Sequence, residues 1–249
     1  MMGDMGEVRF AHGGDRERWP GTSLDGSRAV LEAGARYLET EVQISADGVA
    51  VLSRVPALLT VTGHDLRITA TDYRSIRACP AGHPAQFGAR YRNLHIARLD
   101  DFATLLHAWP RARAFVELKP DSIEAFGIAR VFDIVMDSLA AVQARCILIS
   151  FDYAALQHVR SNCQLPIGWV LPAWSPENQA LATELTPEYL FCNRKRLPPE
   201  DGPLWPGPWR WTVYTLNETA EIKHYLARGA DMAETNVIRT LLAAPGLQG

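Results

Sequence analysis

The chain has 249 residues, with 25 Lys and Arg against 28 Asp and Glu, for a formal charge of -3. Its 47% apolar and 21% charged residues are those of a globular protein and exclude a mainly disordered one. The mild acidity argues against a protein built to coat nucleic acid, and no stretch approaches the roughly 20 apolar residues of a membrane span.

In chain order, short apolar runs alternate with helix-length amphipathic stretches. The first run, Val8–His12, leads to a predicted helix over Thr22–Ala35, with Leu24, Val30, Leu31 and Ala35 at helical spacing, Ser23 as N-cap and Gly34 near its end. The second run is Tyr37–Ile44. A long insert, Asp47 to Leu106, follows and contains the turn-rich stretch Pro80–Gly88. Arg113–Lys119 is the third run, followed by a predicted helix over Ser122–Ala141. Arg145–Phe151 and Pro166–Leu171 flank a helix over Asp152–Asn162, and Pro176–Leu185 precedes Tyr189–Asn193. Pro198–Pro208 holds five prolines and excludes an ordinary helix before Arg210–Thr215. A last helix over Glu218–Gly229 leads to Ala230–Thr235.

Each run is rich in Val, Ile, Phe, Tyr or Trp, as a strand buried on both faces should be. Eight such runs with helices between them predict an α/β fold, a (β/α)₈ TIM barrel with an insert after the second strand. A doubly wound sheet is the alternative, but no GxGxxG follows an early strand. No linker or low-complexity stretch divides the chain, so one domain over residues 7–245 is expected. Cys79, Cys146, Cys163 and Cys192 show no CxxC spacing, and Cys146 and Cys192 sit in apolar runs as small buried thiols. With no basic-then-apolar segment over Met1–Glu7, a reduced cytoplasmic protein is expected.

Functional side chains in such barrels come from the C-terminal ends of the strands. There the first run offers His12 before Gly13-Gly14, the second Glu39-Thr40-Glu41, and the third Glu117-Leu118-Lys119. A strand period of two puts Glu39 with Glu41, and Glu117 with Lys119, on one face. Taken singly, each has an ordinary reading: a half-exposed acidic pair, a turn histidine, a surface ion pair. Taken together at three successive strand ends, they form an oxygen-rich cluster suited to a hard cation, Mg²⁺ or Ca²⁺. With Lys119 and His12 added, the cluster suits a phosphate ester. Among the tryptophans, Trp205, Trp209 and Trp211 either wall a pocket for an apolar or choline-like group or pack the outer layer of the barrel, and packing is the favoured reading.

The ordered motifs resemble the glycerophosphodiester phosphodiesterase family. Ala11-His12-Gly13-Gly14, Pro20-Gly21-Thr22-Ser23-Leu24, Glu39-Thr40-Glu41-Val42-Gln43 and Asp47-Gly48-Val49-Ala50-Val51 follow its AHRG, PENTL, ELDVQ and DGVPVVxHD in order and spacing. Glu117-Leu118-Lys119, Ser150-Phe151-Asp152, Cys192-Asn193-Arg194-Lys195, Tyr214-Thr215-Leu216-Asn217 and Gly229 to Asn236 continue the match. The resemblance implies a barrel that hydrolyses glycerophosphodiesters to glycerol 3-phosphate and an alcohol with a divalent cation. It implies His12 as a catalytic histidine, Glu39, Glu41 and Glu117 as metal ligands, and Lys119 as a cation at the phosphate. It also implies substrate contacts for Tyr214, Asn193 and Lys195.

The chain departs from the family pattern at Gly13, where arginine is expected, and at Gly21, where glutamate is expected. Glu41 replaces an aspartate, and the second catalytic histidine and its aspartate fall on Arg54 and Val55. Arginine cannot release a proton at neutral pH, so Arg54 is assigned to charge stabilisation. His64, in Thr62-Gly63-His64-Asp65, is the nearest candidate for a displaced acid, against an ordinary loop histidine. The expectation is therefore a metal-dependent phosphodiesterase acting on a small-molecule phosphodiester. The alternative is a degenerate barrel that binds a phosphodiester or phospholipid head group without turnover. Neither nucleic acid nor a membrane span enters as a partner, and assembly into a homo-oligomer is left open.

Overall fold

The computed structural model describes residues 9–198 and 202–243. Val8 and the two ends of the 7–245 span lie outside the described residues. The eight expected strands form as β1 (Arg9–Ala11), β2 (Tyr37–Ile44), β4 (Arg113–Leu118), β5 (Cys146–Ser150), β6 (Ile167–Val170), β7 (Tyr189–Asn193), β8 (Arg210–Tyr214) and β9 (Met232–Thr235). They pair in parallel around a closed ring, with Ala11 of β1 opposite Leu38 of β2 on one side and Thr235 of β9 on the other. A ninth strand, β3 (Ala50–Leu52), folds back antiparallel on β2 and begins the insert. The molecule is a (β/α)₈ barrel.

Strand alternation divides the core in two. Inward side chains Phe10, Phe115, Ile147, Phe191 and Met232 fill the barrel, with ring centroids of Phe115 at 4.9 Å from Phe10 and 5.3 Å from Phe191. Outward neighbours such as Ala11, Leu38, Val116, Leu148 and Val213 pack against the surrounding helices. Because one more step of two along a strand lands on the same face, Phe10 is followed inward by His12, Phe115 by Glu117 and Met232 by Glu234. The aromatic floor thus sits directly beneath the polar mouth.

Helix starts follow their caps. Ser23 Oγ accepts the Gly26 N–H at 3.1 Å at the head of the helix Leu24–Glu32, and Asp152 caps Tyr153–Asn162 by accepting from Ala155 at 3.0 Å. Pro176–Leu185 forms as predicted, capped by Ser175. The helix expected over Ser122–Ala141 is instead two, Pro120–Phe126 and Ile128–Ser138. Gly127 between them adopts φ +77°, which the helical ladder does not admit. The insert is also shorter than expected, because its last residues form the barrel helix Leu99–His107, which buries Leu99, Phe102, Leu105 and Leu106. What remains closes over a small core of its own, including Val51, Leu58, Ile68 and Ile76.

The tryptophans take their packing role. Trp174 stacks on Trp205 at 3.8 Å, and Trp209 and Trp211 are buried in the outer layer, away from the mouth. All four cysteines are free thiols, with Cys146 and Cys192 buried. Among the described residues, no helix is long and apolar enough to cross a membrane.

Candidate active site

Four strand ends supply the mouth. His12 follows β1 and is fixed by its N–H donating to the Thr235 carbonyl at 2.9 Å. Glu39 and Glu41 point inward from β2, Glu117 from β4 and Glu234 from β9, all buried at 4% exposure or less. The turn after His12 depends on Gly13 and Gly14 at φ +61° and +88°. A Cβ on Gly14 would stand 2.9 Å from the Gly26 backbone carbon, so the turn can lie flat against the first helix only as glycine. Thr22 closes the loop by donating its N–H to the Gly13 carbonyl at 2.7 Å and its Oγ1 to Glu41 Oε2 at 2.8 Å.

The charges interleave. Lys119 Nζ lies 3.0 Å from Glu117 Oε1, to which it donates, and 3.8 Å from Glu41 Oε1. Arg54 Nε lies 3.8 Å from Glu41 Oε1, with about half of its side chain exposed. His12 Nδ1 lies 3.0 Å from Glu234 Oε1, and Nε2 lies 4.0 Å from Glu39 Oε2. Neither imidazole nitrogen reaches hydrogen-bond geometry with a described residue, and Glu39 Oε2 and Glu234 Oε1 are likewise buried without such a partner.

Burial pushes Glu39 well above the usual carboxylate range, with the Glu234 carboxylate adding to it and His12 opposing. Burial also carries Glu234 up to about 8, against the hydrogen bond it shares with Glu39. Glu117 is raised by burial despite the neighbouring Lys119 ammonium. For Lys119, burial works downward but Glu117 and Glu41 outweigh it, and the net direction is up. Tyr214 is raised, first by burial and then by Glu234.

Most of the residues expected from the sequence meet here. His12, Glu39, Glu41, Glu117, Lys119, Arg54 and Tyr214 line one cavity of about 80 Å³, with Phe151 and Phe191 among its apolar walls. Asn193 and Lys195 do not join them. Asn193 sits at the end of β7 with Oδ1 accepting the Lys195 N–H at 3.0 Å, Lys195 is exposed, and neither lines the cavity. The substrate contact expected of the pair has no counterpart in the cavity wall. His64, the candidate for a displaced acid, stands apart from the cavity. It is exposed on the insert, its N–H donates to Thr62 Oγ1 at 3.0 Å, and it lines neither this cavity nor its neighbour.

Sequence reasoning missed Glu234. Its only signal was the strand period, which places it one inward step beyond Met232 and beside β1 across the barrel seam. It missed Arg16 as well, whose guanidinium senses Arg54 and the Glu41, Glu39 and Glu234 carboxylates across the mouth.

The donor set fits a divalent cation. One oxygen each from Glu39, Glu41 and Glu117 lies within 4.8 Å of the others, and His12, Glu39 and Glu234 form a second such group. Carboxylates gathered and buried in this way need protons or a cation between them, and an all-oxygen set suits Mg²⁺ or Ca²⁺ better than zinc. The fold and site together define a (β/α)₈ barrel with an acid, base and cation cluster at its C-terminal mouth, matched to a phosphate ester. The chain belongs to the glycerophosphoryl diester phosphodiesterase family, whose sequence profile matches residues 12–193.

Solved structures repeat the fold. An Oleispira antarctica phosphodiesterase in complex with the product sn-glycerol-3-phosphate superposes with a TM-score of 0.81 at 17% identity, over 93% of this chain and 94% of that one. Glycerophosphodiester phosphodiesterases from Agrobacterium tumefaciens (TM-score 0.72, 19% identity, 95% and 99% covered) and Thermotoga maritima (0.68, 18%, 94% and 96%) share it. No curated protein matches the chain in sequence.

Proposed function

We propose that this protein hydrolyses glycerophosphodiesters to glycerol 3-phosphate and an alcohol, with a divalent cation held by Glu39, Glu41 and Glu117. The observation that carries the reading is the convergence of His12, Lys119 and four buried carboxylates on one small cavity at the barrel mouth. The product named in the Oleispira structure supports the choice of substrate class. When bound, the cation would supply charge neutralisation and polarisation of the phosphoryl oxygens.

The chain's own residues do the rest. Lys119, kept charged by Glu117 and Glu41, faces the cavity as an ammonium beside the phosphate. Arg54 adds a second positive charge on the open side, where a planar guanidinium can hold two phosphate oxygens at once. His12 is the imidazole of the cavity and is assigned the proton transfer, with Glu234 3.0 Å from Nδ1 and Nε2 left to move the proton. Tyr214, its ring centroid 6.3 Å from that of His12, walls the substrate side and stays a neutral phenol.

Arg54 favours a second reading, binding without turnover, because it stands where the family pattern has a second proton-transfer group. Phosphorus NMR of glycerophosphocholine and glycerophosphoinositol incubated with the protein and Mg²⁺ or Ca²⁺ separates the two. Conversion of the diester signal to glycerol 3-phosphate is expected. An unchanged diester signal across both substrates and both cations would rule out the hydrolase.

A further inference from the structure

Beside the acidic mouth lies a second and larger cavity of about 430 Å³, between the loop after β1 and the insert. Arg54 lines both spaces. Thr22, on the wall of the larger one, donates to Glu41 in the smaller. A group leaving the phosphate on the Arg54 side would enter this space. Its lining combines apolar Leu52, Val61 and Ile96 with Arg16, Arg54, His83 and His95, against the single carboxylate of Asp25.

Arg16 is the unusual member. Its side chain is partly buried and makes no hydrogen bond or ion pair with any described residue. A guanidinium is always charged and carries five donors, and those of Arg16 are not sealed from the cavity, so an anionic ligand there can meet them. Its seat is built by an absence of side chains. A Cβ on Gly21 would stand 3.0 Å from Arg16 Nε, and one on Gly13 would stand 3.8 Å from Arg16 Cδ. Of the two glycines that depart from the family pattern, Gly21 thus makes room for this side chain, while Gly13 meets it only at ordinary van der Waals distance. His83, held on the insert by its N–H donating to the Val61 carbonyl at 3.0 Å, faces the same space, and burial and Arg16 both favour its neutral form.

We propose that the larger cavity receives the leaving alcohol and that Arg16, seated against Gly21, selects alcohols that carry a phosphate group of their own over neutral and cationic ones. The leaving-alcohol part rests on the phosphodiesterase reading of the mouth; anion recognition by Arg16 does not. Arg54 is already 3.8 Å from Glu41, so it is the Arg16 guanidinium, with no ion pair to a described residue, that favours an anion and disfavours a quaternary ammonium. The polar hydroxyls of Ser23 and Thr60 in the same lining suit a polyol backbone.

Calorimetric titration tests this without turnover. Inositol 4-phosphate, inositol, choline and inorganic phosphate are titrated into wild type, Arg16→Gln and Gly21→Leu, each checked for folding by circular dichroism. A chelator is present throughout, so that the acidic mouth repels anions and the signal comes from the larger cavity. Inositol 4-phosphate should bind wild type best, and both variants should weaken it roughly tenfold or more, the loss of a charge-assisted hydrogen bond. Gly21→Leu keeps the arginine but displaces its guanidinium and fills part of the cavity that Gly21 lines, so it tests the seat and the space together while Arg16→Gln tests the charge.

Equal binding of inositol, choline and inositol 4-phosphate would overturn the proposal. So would variants that bind as wild type does, or inorganic phosphate binding as tightly as inositol 4-phosphate, which would mark an anion site with no recognition of the alcohol. Failure here alongside hydrolysis of glycerophosphodiesters leaves the mouth's function standing. Success here without hydrolysis leaves the anion subsite standing and removes the phosphodiesterase.

Discussion

At the scale of single residues, the site turns on one histidine set between two buried carboxylates. His12 has Glu234 3.0 Å from Nδ1 and Glu39 4.0 Å from Nε2, and it is the ring that can exchange a proton within the cavity. His12→Ala should lower the rate of glycerol 3-phosphate release by about a hundredfold or more; a variant that keeps most of the wild-type rate would remove His12 from the mechanism. Arg54 makes the complementary case. It lines both cavities and carries a fixed positive charge into them, yet has no proton to give. Arg54→His should therefore raise turnover of a natural glycerophosphodiester relative to a nitrophenyl phosphodiester, whose leaving group needs no acid. An unchanged ratio between the two esters would show that no acid is needed at that point. Val55 is best left in place, because it packs on the insert's own core.

These residues also show what the sequence made legible. Glu39, Glu41, Glu117 and Lys119 could be read because two of them on one strand, spaced by two, declare a face. Glu234 is a lone carboxylate in its strand and declares nothing until the barrel closes and sets β9 beside β1. Arg16 was hidden for a different reason: Gly21 read as a lost contact, and only coordinates reveal it as space that the Arg16 side chain fills.

At the scale of elements, the loop between β1 and the helix Leu24–Glu32 orients a carboxylate that belongs to β2 and that we propose as a metal ligand. Thr22 donates to Glu41 Oε2, and groups that orient metal ligands typically carry a tenfold or larger share of cation affinity. Thr22→Val keeps the branched shape and removes the donor, so Mg²⁺ or Ca²⁺ binding measured by calorimetry should weaken about tenfold. Unchanged affinity would mean that Glu41 needs no such partner. At the opposite end of the barrel, Glu188 ties three elements together. It accepts from Arg160 at 2.9 and 3.0 Å and from the Ile167 N–H at 2.8 Å, just before β7.

Partial burial pushes the Glu188 carboxyl up, but Arg160 and the backbone donor outweigh it and hold it below the usual range. A depressed carboxylate stabilises the fold above its unfolded pKa and loses that contribution as pH falls through the folded value. Wild type should therefore melt above Glu188→Gln at neutral pH, with the gap closing below about pH 4. A gap that stays constant with pH would show that the ion pair is not its source. Exposure of both partners keeps the effect modest.

Strands and capped helices were legible at this scale because period and cap are local signals. The break at Gly127 and the helix Leu99–His107 were not. A glycine inside an apolar periodic stretch does not reveal which sign of φ it will take, and turn-rich residues upstream of Leu99 drew a whole segment into the insert.

At the scale of the molecule, the barrel separates stability from chemistry. Its floor is an aromatic cluster around Phe115, and its mouth gathers buried carboxylates that need protons or a cation between them. Fold does not by itself fix function. Family membership and the mouth's donor set point to the same one, and the carboxylates there could hold a cation. The most direct measurement is glycerol 3-phosphate release from a glycerophosphodiester by the wild-type protein, followed with Mg²⁺ or Ca²⁺ present, after chelation, and after the cation is restored. Release that stops on chelation, returns with the cation and is abolished in Glu117→Ala is the predicted result; release indifferent to the chelator, or none under any condition, would contradict it.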